Sequence, residues 1–257
     1  MEVAPSAAAA GVRVISHETL GSTNAEAMVL ARAGDRGPVW VTAERQTAGR
    51  GRRGNAWASE PGNLYSSLLI TDAAPSPHLP ELCFVVALAV RDAVCAIAPS
   101  LAPVLKLKWP NDLLLDGAKM VGILIEAERV GNATATVIGI GINCAHHPLD
   151  TPYAATDLNS HGAGIMPAQM FRALSAAMVT RLAMWDRGTG FTAIREEWLT
   201  CAAGVGGDIV VRLPNRQLTG KFESLDQTGR LMLRMSDGHL EPITAGEVFP
   251  ALAQGLA

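Results

Sequence analysis

The chain has 257 residues, 49% hydrophobic and 18% charged, with Lys+Arg 21 against Asp+Glu 24 and a net charge of −3. That balance allows one large domain, or one large and one small, with an ample core, and it excludes bulk disorder and a generally basic nucleic-acid binder. The longest apolar stretch, Leu82 to Val90, is cut by Arg91-Asp92 and is too short to cross a bilayer.

Residues 1–11 read as a disordered, alanine-rich tail without the positive flank of a secretory signal. Arg13 to Ser16 reads as a strand and Thr23 to Arg32 as a helix, with Thr23 and Glu26 in capping-box spacing and Gly34 as a stop. Val39 to Ala43 and Leu64 to Thr71 read as strands, and Glu81 to Ile97 as a buried helix. Lys106 to Leu115 and Met120 to Glu128 read as two strands around an Asp116-Gly117 turn, followed by a β-rich run from Val137 to Asn143. Helical patterns return at Ala168 to Trp185 and Thr192 to Ala203. This mixed order predicts an α+β domain with a mixed or antiparallel sheet over residues 12–203. Past Gly204-Val205-Gly206-Gly207, four short runs separated by turn residues predict a small β-barrel over 204–257. These runs are Asp208 to Leu213, Gln217 to Leu225, Leu231 to Met235 and Leu240 to Thr244. Four scattered cysteines suit buried thiols in a reducing, cytoplasmic setting.

Gly49-Arg50-Gly51-Arg52-Arg53-Gly54 satisfies the letter of a dinucleotide fingerprint, but Asn55 to Gly62 after it promises a turn rather than the helix that fingerprint needs. Three arginines in four residues would repel one another without an anion among them, so an anionic ligand is expected; a solvated basic loop and an RNA-binding segment are the competing readings. Pro110 interrupts Lys108-Trp109-Pro110-Asn111-Asp112 and bends the strand, and Lys119 opens the next strand of the same hairpin, so it should lie near Asp112. Gly21-Ser22-Thr23-Asn24 stands at a helix start, where simple capping is the default. Gly139-Ile140-Gly141-Ile142-Asn143 is a glycine-interrupted strand of the kind that lets a ligand approach closely. Cys144-Ala145-His146-His147 has no second pair at zinc spacing.

In this order the motifs resemble the biotin protein ligases, along nearly the whole chain after the tail. The resemblance rests on Gly21 to Asn24, Ala43 to Gly54 with Trp57, Lys108 to Asp112, Lys119 with Gly122-Ile123-Leu124, and Gly139 to Asn143. It implies a catalytic domain like that of class II aminoacyl-tRNA synthetases and an SH3-like C-terminal domain. It implies a two-step reaction in which biotin and ATP give biotinyl-5′-AMP, and a lysine of a biotin carboxyl carrier domain of a biotin-dependent carboxylase then displaces AMP. By position, Ser22, Thr23, Asn24 and Gln46 should border biotin, with Arg50, Gly51 and Arg52 closing over its carboxylate and the phosphate. Lys119 should be the fixed cation, Asp112 the group that orients or deprotonates the incoming lysine, and Arg53, Trp57, Asn111 and Asn143 the nucleotide contacts. Mg²⁺ is expected with ATP, its ligands unspecified. Only 21 residues precede Ser22, too few for a winged helix, so the short class without DNA binding is expected, as monomer or homodimer with no membrane partner. A lipoate ligase or lipoyl/octanoyl transferase of the same fold is the alternative.

Overall fold

The strand Val39–Gln46 explains the layering of the molecule. Val39 and Val41 join Ala27, Met28 and Ala31 in one apolar cluster, while Trp40 between them joins a larger cluster on the other side. A strand whose alternate residues are both buried must lie between two covered faces. The computed structural model describes residues 1–251. In chain order the elements are α1 (Pro5–Ala9), β1 (Arg13–Leu20), α2 (Thr23–Arg32), β2 (Val39–Gln46), β3 (Leu64–Thr71), α3 (Leu82–Ile97), β4 (Leu105–Lys108) and β5 (Asp112–Leu115). Next come β6 (Ala118–Val130), β7 (Ala133–Ile142), α4 (Pro167–Trp185) and α5 (Phe191–Cys201). The last five strands are β8 (Asp208–Arg212), β9 (Gln217–Leu225), β10 (Leu231–Arg234), β11 (Leu240–Ile243) and β12 (Glu247–Pro250).

The main sheet runs β1-β2-β3-β7-β6-β5-β4, with β1 and β2 parallel and every other pair antiparallel. The mixed α+β architecture is therefore as expected. Helix α2 covers one face alone, and α3, α4 and α5 supply the core of the other. The second sheet is antiparallel in the order β11-β10-β9-β8-β12. Its inward residues Ile209, Val211, Phe222, Leu231 and Leu233 belong to the same continuous core as α3. Gly229, in the β9–β10 turn, presses against Phe84, and its carbonyl accepts from Trp109 Nε1 at 3.1 Å. The two sheets are thus joined by a packed, hydrogen-bonded seam.

Four expectations need correction. Residues 1–11 are not a loose tail: Ala4 and Ala7 are buried against α4, and Ala4 N–H donates to Ser175 Oγ at 2.8 Å. Alanines without charge look like a tail in composition, yet small side chains are what lets α1 lie close to another helix. The stretch Lys106 to Leu115 is two strands, β4 and β5, because Trp109-Pro110-Asn111 reverses the chain and pairs Lys108 with Asp112. The C-terminal sheet has a fifth strand, β12, which pairs with β8 and which Pro250 disguised. The α2 capping box is absent, since Ser22 is the cap residue and no side chain caps the helix. The last six residues of the expected 204–257 domain lie outside the described residues. Among the described residues no helix is long and apolar enough to cross a membrane.

One buried charge ties the helical layer together. Arg181 of α4 donates to Asp92 Oδ2 of α3 at 2.6 Å and to Glu197 Oε2 of α5 at 2.5 Å. Hydrogen bonding from Arg181 holds the Glu197 carboxyl below its ordinary 4.5, against the burial that would raise it. A depressed carboxylate contributes stability above about pH 4.5 that is lost as pH falls through the folded value. Arg181→Met should therefore cost about 2 kcal/mol at pH 7, less than a fully buried pair because both carboxylates keep some solvent. Urea unfolding should show the gap to wild type narrowing as pH drops below that value. A gap independent of pH would disprove the assignment.

Candidate active site

The face of the sheet covered by α2 changes character beyond the helix N-terminus. Along β7 the residues on this face run Ala135, Val137, Gly139, Gly141, and along β6 they run Glu128, Glu126, Leu124, Gly122. Where α2 ends, three glycines remove the side chains that would fill the space. The result is a cleft of about 590 Å³ floored by Gly122, Gly139 and Gly141, in the range usual for small-molecule sites. The segment Gly49 to Trp57 folds over this floor as a tight hairpin, closed by Gly51 N–H to Asn55 O at 2.7 Å and Trp57 N–H to Gly49 O at 3.0 Å. Trp57 lays its ring on the glycines: a Cβ at Gly122 would meet Cζ3 at 2.7 Å, and one at Gly141 would meet Nε1 at 2.5 Å.

At the α2 end the polar side chains form one network. Gln46 Oε1 accepts from Thr23 N–H at 2.8 Å and from Thr23 Oγ1 at 3.1 Å, and Gln46 Nε2 donates to Ser59 Oγ at 2.9 Å. Ser67 Oγ lies 2.6 Å from Asn24 Oδ1 and 2.7 Å from Thr23 Oγ1. Ser22, Thr23, Asn24 and Gln46 all line the cleft, as do Arg50, Gly51, Arg52, Arg53, Trp57, Asn111, Asp112 and Lys119. The cleft thus brings together these residues singled out in the sequence.

At the far end Lys119 Nζ lies 2.8 Å from Asp112 Oδ1, as the hairpin predicted. The approach makes an ion pair without a well-aligned hydrogen bond, and Asp112 Oδ1 has no other partner. Trp57 Nε1 is likewise buried and unpartnered. Buried polar atoms are seldom left so, and both residues line the cleft. The Lys119 ammonium also stands over the Trp57 ring at 5.7 Å and the Tyr153 ring at 5.2 Å, in cation–π range. Lys108 adds a second cation, held below the usual lysine range by burial, with Lys119 pushing the same way. Its Nζ and the Arg212 guanidinium flank the Phe249 ring at 5.0 and 4.4 Å.

Two groups of the expected residues have partners of their own inside the protein. Each of the three loop arginines has a partner within the protein: Arg50 pairs with Glu126 at 2.8 Å, Arg52 donates to Asn111 Oδ1 at 2.8 Å, and Arg53 reaches Glu247 at 3.6 Å. Repulsion is relieved by splaying to β6, the β4–β5 turn and β12. Asn143 does not line the cleft. It is buried, and its Nδ2 donates to Thr156 O at 3.0 Å, so it braces the 152–156 segment that runs beside Lys119. The residues that sequence reasoning missed are Lys108, Tyr153, Arg212 and Phe249. Tyr153 sits in an irregular segment with no periodicity, and Phe249 and Arg212 arrive from the second sheet. Only Lys108, inside a motif already singled out, carried a signal. Cys144, the thiol nearest the strand ends, is pushed up to about 12 by burial, which makes it a poor nucleophile.

Comparison with known proteins agrees with this geometry. The profile of the biotin/lipoate A/B protein ligase family matches residues 24–143, and that of the biotin protein ligase C terminal domain matches residues 206–249. The biotin–[acetyl-CoA-carboxylase] ligase of Paracoccus denitrificans is 38% identical over 235 residues, covering 89% of this chain and 96% of that protein. The bifunctional ligase/repressor BirA of Bacillus subtilis is 32% identical over 235 residues, covering 89% of this chain and 71% of that protein. Among solved structures, the biotin protein ligase of Aquifex aeolicus in complex with biotin and ATP superposes with a TM-score of 0.78 at 25% identity, over 92% of this chain and 97% of that one.

Proposed function

The chain belongs to the biotin protein ligases of the biotin/lipoate A/B protein ligase family, and on that premise we propose how its own residues carry the reaction. Biotin occupies the α2 end of the cleft with its ureido ring toward Ser22, Thr23 and Gln46, whose hydroxyls and amide suit a group with two N–H donors and a carbonyl. Its carboxylate oxygen attacks the α-phosphorus of ATP, a P–O bond breaks, and pyrophosphate leaves with biotinyl-5′-AMP remaining. Lys119, Arg50 and Arg52 are fixed cations where negative charge gathers in that step. An amine of a carrier lysine then attacks the acyl carbon, and AMP departs with the electron pair of the broken C–O bond. The Asp112 carboxylate, held beside Lys119, takes the proton of the incoming ammonium. The Trp57 ring and Asn111 border the nucleotide.

Mg²⁺ enters with the ATP phosphates. Among the described residues no group of three or more His, Cys, Asp or Glu side chains could hold a metal ion, so no step is assigned to it. The protein partner is a biotin carboxyl carrier domain.

The observation that carries this reading is the Lys119–Asp112 pair at the end of a glycine-floored cleft closed by an arginine hairpin. The test is intact mass after incubation with Mg·ATP, biotin and a carrier domain. One lysine should gain a biotinyl group, and lipoate in place of biotin should give no modification. Labelling by lipoate alone would overturn the proposal.

A further inference from the structure

Glu126 lies on β6, two residues past Leu124 on the same face of the sheet, and is outside the lining of the cleft. Its Oε2 nevertheless accepts from two groups that do line it. Asn24 Nδ2 donates at 2.8 Å and Arg50 Nη2 at 2.8 Å. Asn24 also donates to Leu124 O at 3.3 Å, so both of its amide N–H bonds are committed inside the protein. Arg50 spends one of its five donors on Glu126 and keeps the others for a ligand. A single carboxylate oxygen therefore ties the α2 end of the cleft to the arginine hairpin.

Stability does not explain this arrangement. The Arg50 and Glu126 side chains are 48% and 33% exposed, and ion pairs so open to water contribute little to folding. Orientation does explain it. A free arginine on a surface loop has many rotamers to lose when an anion arrives, whereas one already held at one Nη has lost most of them beforehand. The carboxylate is also neutralised by Arg50, without which it would stand bare beside an anionic substrate.

We propose that Glu126 is a positioning residue for adenylate formation, acting through Arg50 and Asn24; this rests on the ligase reading above. Glu126→Gln keeps the shape and an acceptor for Asn24 but removes the charge that aims Arg50. It should lower kcat/KM for biotin in pyrophosphate release about tenfold. In an Arg50→Ala background the same change should have less than a twofold effect or raise activity, because the residue it acts through is gone and only the bare carboxylate is removed. Amide exchange of Gly49 to Trp57 in the unliganded protein should be faster in Glu126→Gln than in wild type.

An equal tenfold loss in both backgrounds, or no loss in the single variant, would overturn the proposal. If the wild type releases no pyrophosphate with biotin and ATP, the ligase reading fails instead. Exchange then still decides whether Glu126 holds the hairpin, and unchanged exchange would overturn that too.

Discussion

Replacing Lys119 with alanine should abolish most adenylate formation, by about 10²- to 10³-fold, while leaving a folded protein. Removing one preorganised charge aimed at developing negative charge costs about 3–4 kcal/mol of barrier, which sets that range. Lys119 is fixed for the purpose. Asp112 holds its ammonium, the Trp57 and Tyr153 rings flank it, and Lys119 N–H donates to Ala154 O at 2.7 Å while its carbonyl accepts from Thr156 N–H at 3.0 Å. The variant leaves Asp112 uncompensated, so some stability is lost as well, and melting must be measured beside activity. Pyrophosphate release with biotin and ATP checks the prediction. A rate within tenfold of wild type in a folded variant would remove Lys119 from the chemistry.

Gly139→Ala should weaken biotin binding strongly. Its Cβ would enter the space of Asn24 Oδ1, and Asn24 has nowhere to retreat. Moving it would break its bonds to Ser67, Leu124 O and Glu126. At about 1 kcal/mol each, the loss is about 3 kcal/mol, or roughly a hundredfold in affinity for a ligand seated on that network. Titration calorimetry with biotin measures it. The paired variant Gly139→Ala with Asn24→Ala frees the space and should bind biotin better than Gly139→Ala alone. Wild-type affinity in the single variant would show that Asn24 yields.

What the sequence discloses follows from the range of the contacts. Helix α2, strand β3 and the meeting of Lys119 with Asp112 depend on periodicity and on a two-residue turn, so they are legible along a few neighbours. Motif likeness adds the cleft residues from Ser22 to Lys119. The partners of the arginines are another matter. Arg50 meets Glu126 across 76 positions, and Arg53 meets Glu247 on the second sheet. No local pattern announces such pairs, so mutual repulsion suggests an anion among the arginines but not the partners each already has. Asn143 is read from a motif whose strand lines the cleft, but the inward bond of its side chain to Thr156 O is not legible there. The first helix and β12 were hidden by composition, alanines in one and a proline in the other.

The placement of Trp57 gives the protein an optical reporter of its own. Of the five tryptophans, Trp40, Trp109, Trp185 and Trp198 are 1%, 2%, 1% and 1% exposed, whereas Trp57 is half-buried on the floor of the cleft. An aqueous collisional quencher such as iodide can therefore extinguish only that indole, and the quenchable fraction of emission reads the state of one ring. Anything that lies on the three glycines must slide beneath or displace that ring. Occupancy of the cleft can thus be followed by light in the unlabelled chain, one binding event at a time, before any bond is made.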